Sequence, residues 1–431
     1  MANKEVGNSI LNALILAGAN KAECIISKNR VDELNIDNGN INLLRSLFTT
    51  NITMRVIKDN KSGTITVNNT EKETLEEAVV ACINAAEVSM VEEAEDIAEL
   101  TKNIVVGEER EVDLEKLHFR LEELVDDTAK RYPKILLNEI HASFESGNRL
   151  HKNTNGVEME EHYHRYDIML EFSARDKDIS SSVSGINITT CDLDTPFIEI
   201  GKLSQILQQT QDSIYPTALE SKFEGTILMM PEMVNQLLLS VQGLLLSDGS
   251  LIDGTSQWKN SIEKEVASPE FTLSCSYSDK DIVTSGRKIT NDGYLAADVK
   301  VIDQGVLKSF LLSRFGSRKT GINRSKNYGT AFVVEPGRQP LEDIIASIDR
   351  GILIGQLSGN QPGASGEVSG VAKGSFLIEE GKIKGAINET MISCNVLELL
   401  KNIRAISKEQ VCTGYYKLPY IAFDKVVISG K

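Results

Sequence analysis

Between Glu232 and Asp248 the chain carries no ionisable side chain, and leucine fills six of the intervening positions. A segment of that kind has to be surrounded by other parts of the protein. Pro231 suits the first turn of a helix, where its missing N–H would have no partner in any case. The run therefore reads as a helix from Pro231 to about Leu246, entered from a strand at 225–230 and closed by a turn at Ser247-Asp248-Gly249-Ser250. So little polarity on any side predicts a core helix packed around most of its circumference.

The rest of the chain supplies the layers around it. With 431 residues, two or three domains are expected, here 1–105, 106–221 and 222–431. The first opens on an amphipathic helix at 4–17, with Val6, Ile10, Leu14 and Ala17 on one stripe and Gly18 near its end. Three or four strands follow, turning at Asp37-Asn38-Gly39 and at Asn60-Lys61-Ser62-Gly63. The next helix is expected from Thr74, where Thr74-x-x-Glu77 has the form of a capping box. Residues 101–112 read as a linker. Leu114, Leu117, Leu121, Leu124 and Val125 then mark a helix over 113–131 that stops before Pro133. Strands follow with turns at Gly147 and at Asn153-Thr154-Asn155-Gly156, and then a helix at 201–214. The third part is mostly strand, punctuated by Asn291-Asp292-Gly293, Asp303-Gln304-Gly305 and Glu379-Glu380-Gly381, with short helices at 341–350 and 395–403. The fold class expected is α+β: N-terminal antiparallel sheet layers with helices on one face, followed by a mostly β C-terminal domain.

A net charge of −16 and a pI near 5.0 argue against a nucleic-acid partner, which needs a basic footprint. No apolar run is long enough to span a bilayer, and the N-terminal apolar stretch lacks the flanks of a signal peptide. No membrane association and a cytoplasmic location are the expectations. Cys24, Cys82, Cys191, Cys275, Cys394 and Cys412 are scattered without a CxxC pair, as reduced, structural cysteines are.

Few constellations carry chemistry. His162 and His164, two apart on an apparent strand, share a face with Glu160 and could chelate a metal. No third ligand is visible nearby, and the surrounding charges read as a solvated strand face. Cys412, in VCTGYYKLP, reads as structural. Glycines at 355, 359, 363, 366, 370 and 374 invite a phosphate-loop reading, but G-x-x-x-x-G-K-[ST] is absent and tight turns account for them. None of the five histidines sits in a nucleophile context, and G-x-S-x-G does not occur. The runs VEEAEDIAEL, EERE and EELVDD read as solvated helix faces.

From Lys222 onward the chain resembles the TldD/PmbA family, once called modulators of DNA gyrase. The pieces that carry the likeness are the apolar helix, EPGRQPLEDIIASIDRGILI, GSFLIEEGKI and INETMISCNVLELLKNI, all within the half of the chain that runs from Lys222 onward. The TldD kind of this family carries HExxxH on the helix, and the PmbA or TldE kind does not. Here the helix reads LLLSVQGLLL: Leu239 and Leu244 stand where the histidines would be, Ser240 where the glutamate would be, and Gly243 keeps its place. No histidine occurs beyond His164, so no shift of register supplies one.

The resemblance implies a PmbA/TldE-like subunit with no catalytic residue, metal or cofactor of its own. It implies pairing with a TldD-like subunit that holds the zinc, or with itself, and an extended peptide as substrate for proteolysis or peptide maturation. It also implies that the glycine-rich stretch lies near the partner or the peptide groove. Two other classes remain open from the residues: a regulatory protein-binding module, and a peptidase with an unrecognised site built on His162, His164 or Cys412.

Overall fold

The computed structural model describes residues 3–37, 40–99, 103–219, 221–283, 288–329, 331–359, 362–388 and 390–430. Of the expected features, Asn38-Gly39, Thr101-Lys102, Asn360-Gln361 and Glu389 lie outside the described residues.

Helix α1 (Asn3–Leu16) leads into β1 (Lys21–Asp37), β2 (Asn40–Lys58) and β3 (Lys61–Val67), and α2 (Lys72–Val88) returns across them. The β2–β3 turn is Asp59-Asn60, both at positive φ, earlier than the expected Asn60–Gly63. Gly63 instead lies within β3, where a Cβ would stand 2.3 Å from the Cys82 carbonyl oxygen, so glycine lets α2 lie directly on the strand. Helix α2 starts at Lys72 rather than Thr74, and its N-cap position, Glu71, makes no side-chain cap bond. The capping box does not form.

The stretch expected as a linker contains β4 (Ile104–Gly107). Helix α3 (Leu114–Arg131) begins at Asp113, whose carboxylate accepts from the Lys116 N–H at 2.9 Å, and buries Leu117, Leu121 and Leu124. Two long strands follow, β5 (Ile135–Asn153) and β6 (Glu158–Asp176). Gly147 is not a turn. It pairs with Asn29 inside β5, where a Cβ would meet the Lys28 carbonyl oxygen at 2.4 Å. Short strands β7 (Ile179–Ser180) and β8 (Ser184–Thr190) pair with β6, and α4 (Leu203–Asp212) follows.

The first sheet runs β3-β2-β1-β5-β6-β4, with strands from both sides of residue 105 in a single ladder. Cys24, Ile26, Leu34 and Ile36 alternate onto one face of β1 and are buried there. Cys24 and Ile26 pack with α1 and α2, and Leu34 and Ile36 with α3 and α4, so these four helices share one face as expected.

The second half is built around the last strand. β9 (Thr217–Ala218) and β10 (Phe223–Met229) precede α5 (Pro231–Val241) and α6 (Asp248–Ile252). Next come β11 (Leu273–Cys275), β12 (Val299–Asp303), β13 (Val306–Leu307), α7 (Arg314–Thr320) and β14 (Phe332–Val334). Helix α8 (Leu341–Ala346) ends four residues before the expected limit, because Arg350 already opens β15 (Arg350–Ile354). Strands β16 (Gln356–Gly359), β17 (Glu367–Lys373), β18 (Ser375–Glu379), β19 (Lys382–Asn388) and β20 (Thr390–Asn395) lead to α9 (Val396–Lys401). β21 (Ile403–Cys412) and β22 (Lys417–Ser429) close the chain. β22 pairs with β10, β14, β20 and β21, and β10 runs parallel to β15. The largest apolar core lies here, between this sheet and α5.

The two sheets meet through polar groups. The fully buried Glu161 accepts from the backbone N–H groups of Lys288 (2.8 Å) and Ile289 (2.9 Å), and Arg149 lies 3.5 Å from it. Gly293, at φ +82°, packs on the buried His151 ring, where a Cβ would sit 2.6 Å from Nε2. The neighbouring Asp292 takes a forked pair of bonds from Arg324, both at 3.0 Å. Among the described residues no helix is long and apolar enough to cross a membrane.

Candidate functional site

Pro231 occupies the first turn of α5, and the Val234 N–H closes that turn on the Met230 carbonyl at 3.0 Å. Met233, Val234, Leu237, Leu238 and Val241 recur at helical spacing and are buried, and Leu245 and Leu246 continue the apolar side. The opposite side does not follow the expectation of all-round packing. Glu232, Asn235 and Ser240 are only half-buried there, and Gln236, Leu239 and Gly243 are exposed. Leu239 is 51 % exposed. One stripe is enough to hold the helix, and among the described residues the second sheet flanks the other rather than covering it.

Beyond Val241 the helix widens into a π turn, Gln242–Leu246. A regular helix carries residues five apart about 140° around its axis, whereas i→i+5 bonding stacks them one turn apart. Positions 239 and 244 are five apart: 244 lies inside this turn and 239 in the last turn of α5 before it. The turn is fixed from outside: Gln242 Nε2 donates to the Tyr328 carbonyl at 2.6 Å, and Asp248 accepts from the Ser313 N–H at 2.9 Å. The stretch expected as a closing turn at Ser247–Ser250 is the start of α6.

The open side of α5 is walled. On one flank a cavity of about 240 Å³ lies between Gln236, Leu239 and Ser240 and the β16–β17 hairpin, represented by Leu357, Gly359 and Val368. On the other flank about 290 Å³ lies between Glu232, Asn235 and Leu239 and the side chains of Asn187, Phe332, Tyr415 and Tyr416. A smaller space of about 80 Å³ continues past the N-terminus of α5 toward Gly201, Lys202, Gly355 and Tyr420. Leu239 is the ridge between the two larger cavities. The glycine-rich stretch forms the wall on the hairpin side, beside the groove.

Glu232 accepts from the Tyr416 phenol at 2.7 Å. Burial, together with the adjacent Glu232 carboxylate, pushes that phenol well above its ordinary range, so Tyr416 stays a neutral O–H donor at neutral pH. Sequence reasoning missed both residues. Glu232 enters the sequence reading only as the boundary of the uncharged run, and Tyr415-Tyr416 only as the context of Cys412.

The other candidates fall elsewhere. The half-buried Cys412 approaches the Asp281 carbonyl at 3.3 Å, and burial raises its pKa, which keeps it a thiol. His162 Nδ1 lies 2.9 Å from Glu109 Oε1, and its Nε2 lies 3.6 Å from Glu160. His164 is buried, with Nδ1 3.1 Å from the Glu108 carbonyl and the ring beside Phe144. The expectation of a solvated face is corrected here, because the chain around β4 covers it. Among the described residues no three His, Cys, Asp or Glu side chains are gathered as a metal ion needs. On α5, Leu239 and Leu244 offer no lone pair, and the Ser240 hydroxyl donates to the Gln236 carbonyl at 3.1 Å. This donor set does not fit zinc.

The family model of the PmbA/TldA metallopeptidase C-terminal domain matches residues 223–430, and that of PmbA/TldA metallopeptidase domain 1 matches residues 22–87. The chain belongs to the PmbA/TldD family. Among curated relatives, a metalloprotease TldD homolog of Buchnera aphidicola subsp. Schizaphis graminum is 29% identical over 172 residues, 36% of this chain and 35% of that one. A metalloprotease PmbA homolog of Buchnera aphidicola subsp. Acyrthosiphon pisum is 29% identical over 144 residues, 32% of each chain. The matched region thus spans about a third of the length of these relatives. The crystal structure of TldE from Thermococcus kodakarensis superposes with a TM-score of 0.86 at 20% identity, covering 99% of this chain and 100% of that one, which is a likeness of fold.

Proposed function

We propose that this chain is a PmbA/TldE-like, non-catalytic subunit of a TldD/TldE-type zinc metallopeptidase complex that processes unfolded or extended peptides. The observation that carries the reading is the open side of α5. It faces a walled groove as an active-site helix does, yet presents Leu239 and Ser240 there, and Leu244, half-buried against the core, completes the positions where HExxxH would stand. Hydrolysis by a zinc-bound water needs metal ligands and a base to take the proton. Leucine supplies neither, and serine is a poor base at neutral pH. In this reading the zinc and the base come from a TldD-like partner, and this chain supplies half of the peptide-binding enclosure.

An extended peptide lies along the groove and pairs with the edge of β16 that faces away from β17. Main-chain bonds of that kind tolerate many side chains and account for a broad peptide range. The test is to measure metal content by elemental mass spectrometry, and then peptide cleavage by this chain, by an HExxxH-bearing TldD-like chain, and by the two mixed. Little zinc in this chain, with cleavage only in the mixture, is the expected result. About one zinc per chain, or cleavage by this chain alone, would overturn the reading.

A further inference from the structure

We propose that the cavity on the Tyr415–Tyr416 flank of α5 is a subsite for a basic side chain, lysine or arginine, of the extended peptide. This rests on the peptide-binding reading above and gives that peptide a preferred class of residue. The flank, of about 290 Å³, is bordered by Glu232, Asn187 and Asn235 and by the rings of Phe332, Tyr415 and Tyr416. Among the described residues no lysine, arginine or histidine borders it, and Glu232 carries its only charge.

A carboxylate drawn partly out of water is usually paired. Glu232 Oε2 accepts from the Tyr416 phenol at 2.7 Å, and Oε1 has no partner among the described residues. The phenol stays neutral, so it answers one oxygen without cancelling the charge. Lys202 borders the smaller space past the N-terminus of α5, which Glu232 also borders, yet the two are not ion-paired.

The remaining groups suit the same ligand. The carboxylate and the two carboxamide carbonyls are acceptors, and an ammonium or guanidinium carries only donors. The rings give the methylene stem of such a side chain an apolar surface to lie on. An acidic side chain would meet Glu232 with like charge, and an aliphatic one would leave the carboxylate and both amides unanswered. The hairpin-side cavity, bordered by Met229, Leu357 and Val368, has no charged side chain among the described residues, so the selection belongs to the other flank.

The net charge of −16 draws any cation toward the chain. What marks a site is therefore dependence on Glu232. The test is fluorescence anisotropy of the full chain, alone, with short labelled peptides of alanine and serine that differ at one central residue. That residue is arginine, lysine or citrulline, the neutral analogue of arginine, and capping both ends removes the α-amine as another source of positive charge. The arginine and lysine peptides are expected to bind about tenfold more tightly than the citrulline peptide. Glu232→Gln keeps an acceptor for the Tyr416 phenol and is expected to abolish that ratio. Should this variant fail to fold, Asn235→Lys decides, because its ammonium would occupy the cavity and abolish the ratio in the same way. Equal binding of charged and neutral peptides, binding of none, or a ratio that survives either substitution would overturn the proposal. The assay contains no TldD-like chain and reads no cleavage. A mixture that fails to cleave would sink the functional reading and leave the ratio standing, whereas equal binding alongside cleavage would sink only the subsite.

Discussion

On the open side of α5, side chains at 232, 235, 239 and 240 border cavities walled by fixed elements, and the space between the walls is left free. In the middle of β6 the arrangement is inverted. Glu161 is closed over by the backbone at 288–289, and His164 by the chain at Glu108. The helix surface is mostly apolar or amide and stays accessible. On β6, Glu161 on one face and His164 on the other are each covered by chain from elsewhere. Burial is set by what the rest of the chain lays over a surface, and a buried charge is tolerated where it is answered, as Glu161 is by two N–H groups and Arg149. The open groove has the freedom to admit a ligand, and the sealed junction has the rigidity to hold the two sheets that frame it.

The largest effect that would break this contrast is at the junction. Glu161→Ala leaves Arg149 without its buried carboxylate partner and two N–H groups without their acceptor, and is expected to destabilise the fold by about 4 kcal/mol, read by urea denaturation. A loss under ~1 kcal/mol would mean water answers those groups and the junction is not sealed.

The next effect is smaller and depends on pH. Burial opposes ionisation of Asp292, but the Arg324 fork and the Thr290 hydroxyl outweigh it and bring the carboxyl from 3.8 down to about 2. A carboxyl depressed in the folded state stabilises above its unfolded pKa and loses that contribution as pH falls. The stabilisation should be complete above about pH 5 and fade from there to below pH 2. Asp292→Asn is expected to cost about 2 kcal/mol at pH 7 and much less at pH 2. An equal cost at both pH values would assign the effect to the hydrogen bonds that an amide also loses, such as those from the Arg314 N–H and the Thr290 hydroxyl, rather than to the charge.

The smallest effect on stability belongs to the open side. Leu239→Glu should change stability by no more than ~0.5 kcal/mol, yet lower cleavage by the mixed complex at least tenfold, because a carboxylate would then occupy the ridge between the two cavities. A large loss of stability would show that the groove is part of the core after all.

Legibility in the sequence followed the range of the interactions. Helix α3 and the Pro231 helix start were readable because each depends on neighbours a few residues away. Gly63 and Gly147 were misplaced into turns, since their reason for being glycine is a backbone brought in from residues 82 and 28. β4 was taken for linker because its pairing with β6 joins segments over fifty residues apart. At the site, the leucines at 239 and 244 were legible as residue types. The exposure of Leu239, the packing of Leu244 on the core, and the Glu232–Tyr416 bond across 184 positions were not.

The π turn carries a consequence for how such chains diverge. It is held by Gln242 and Asp248, neither of which stands at a position the HExxxH motif prescribes. Replacing the motif residues therefore leaves the frame standing. Side-chain exchanges at 239, 240 and 244 are thereby uncoupled from the bonds that shape the backbone, so what this stretch presents can change while its frame is inherited intact.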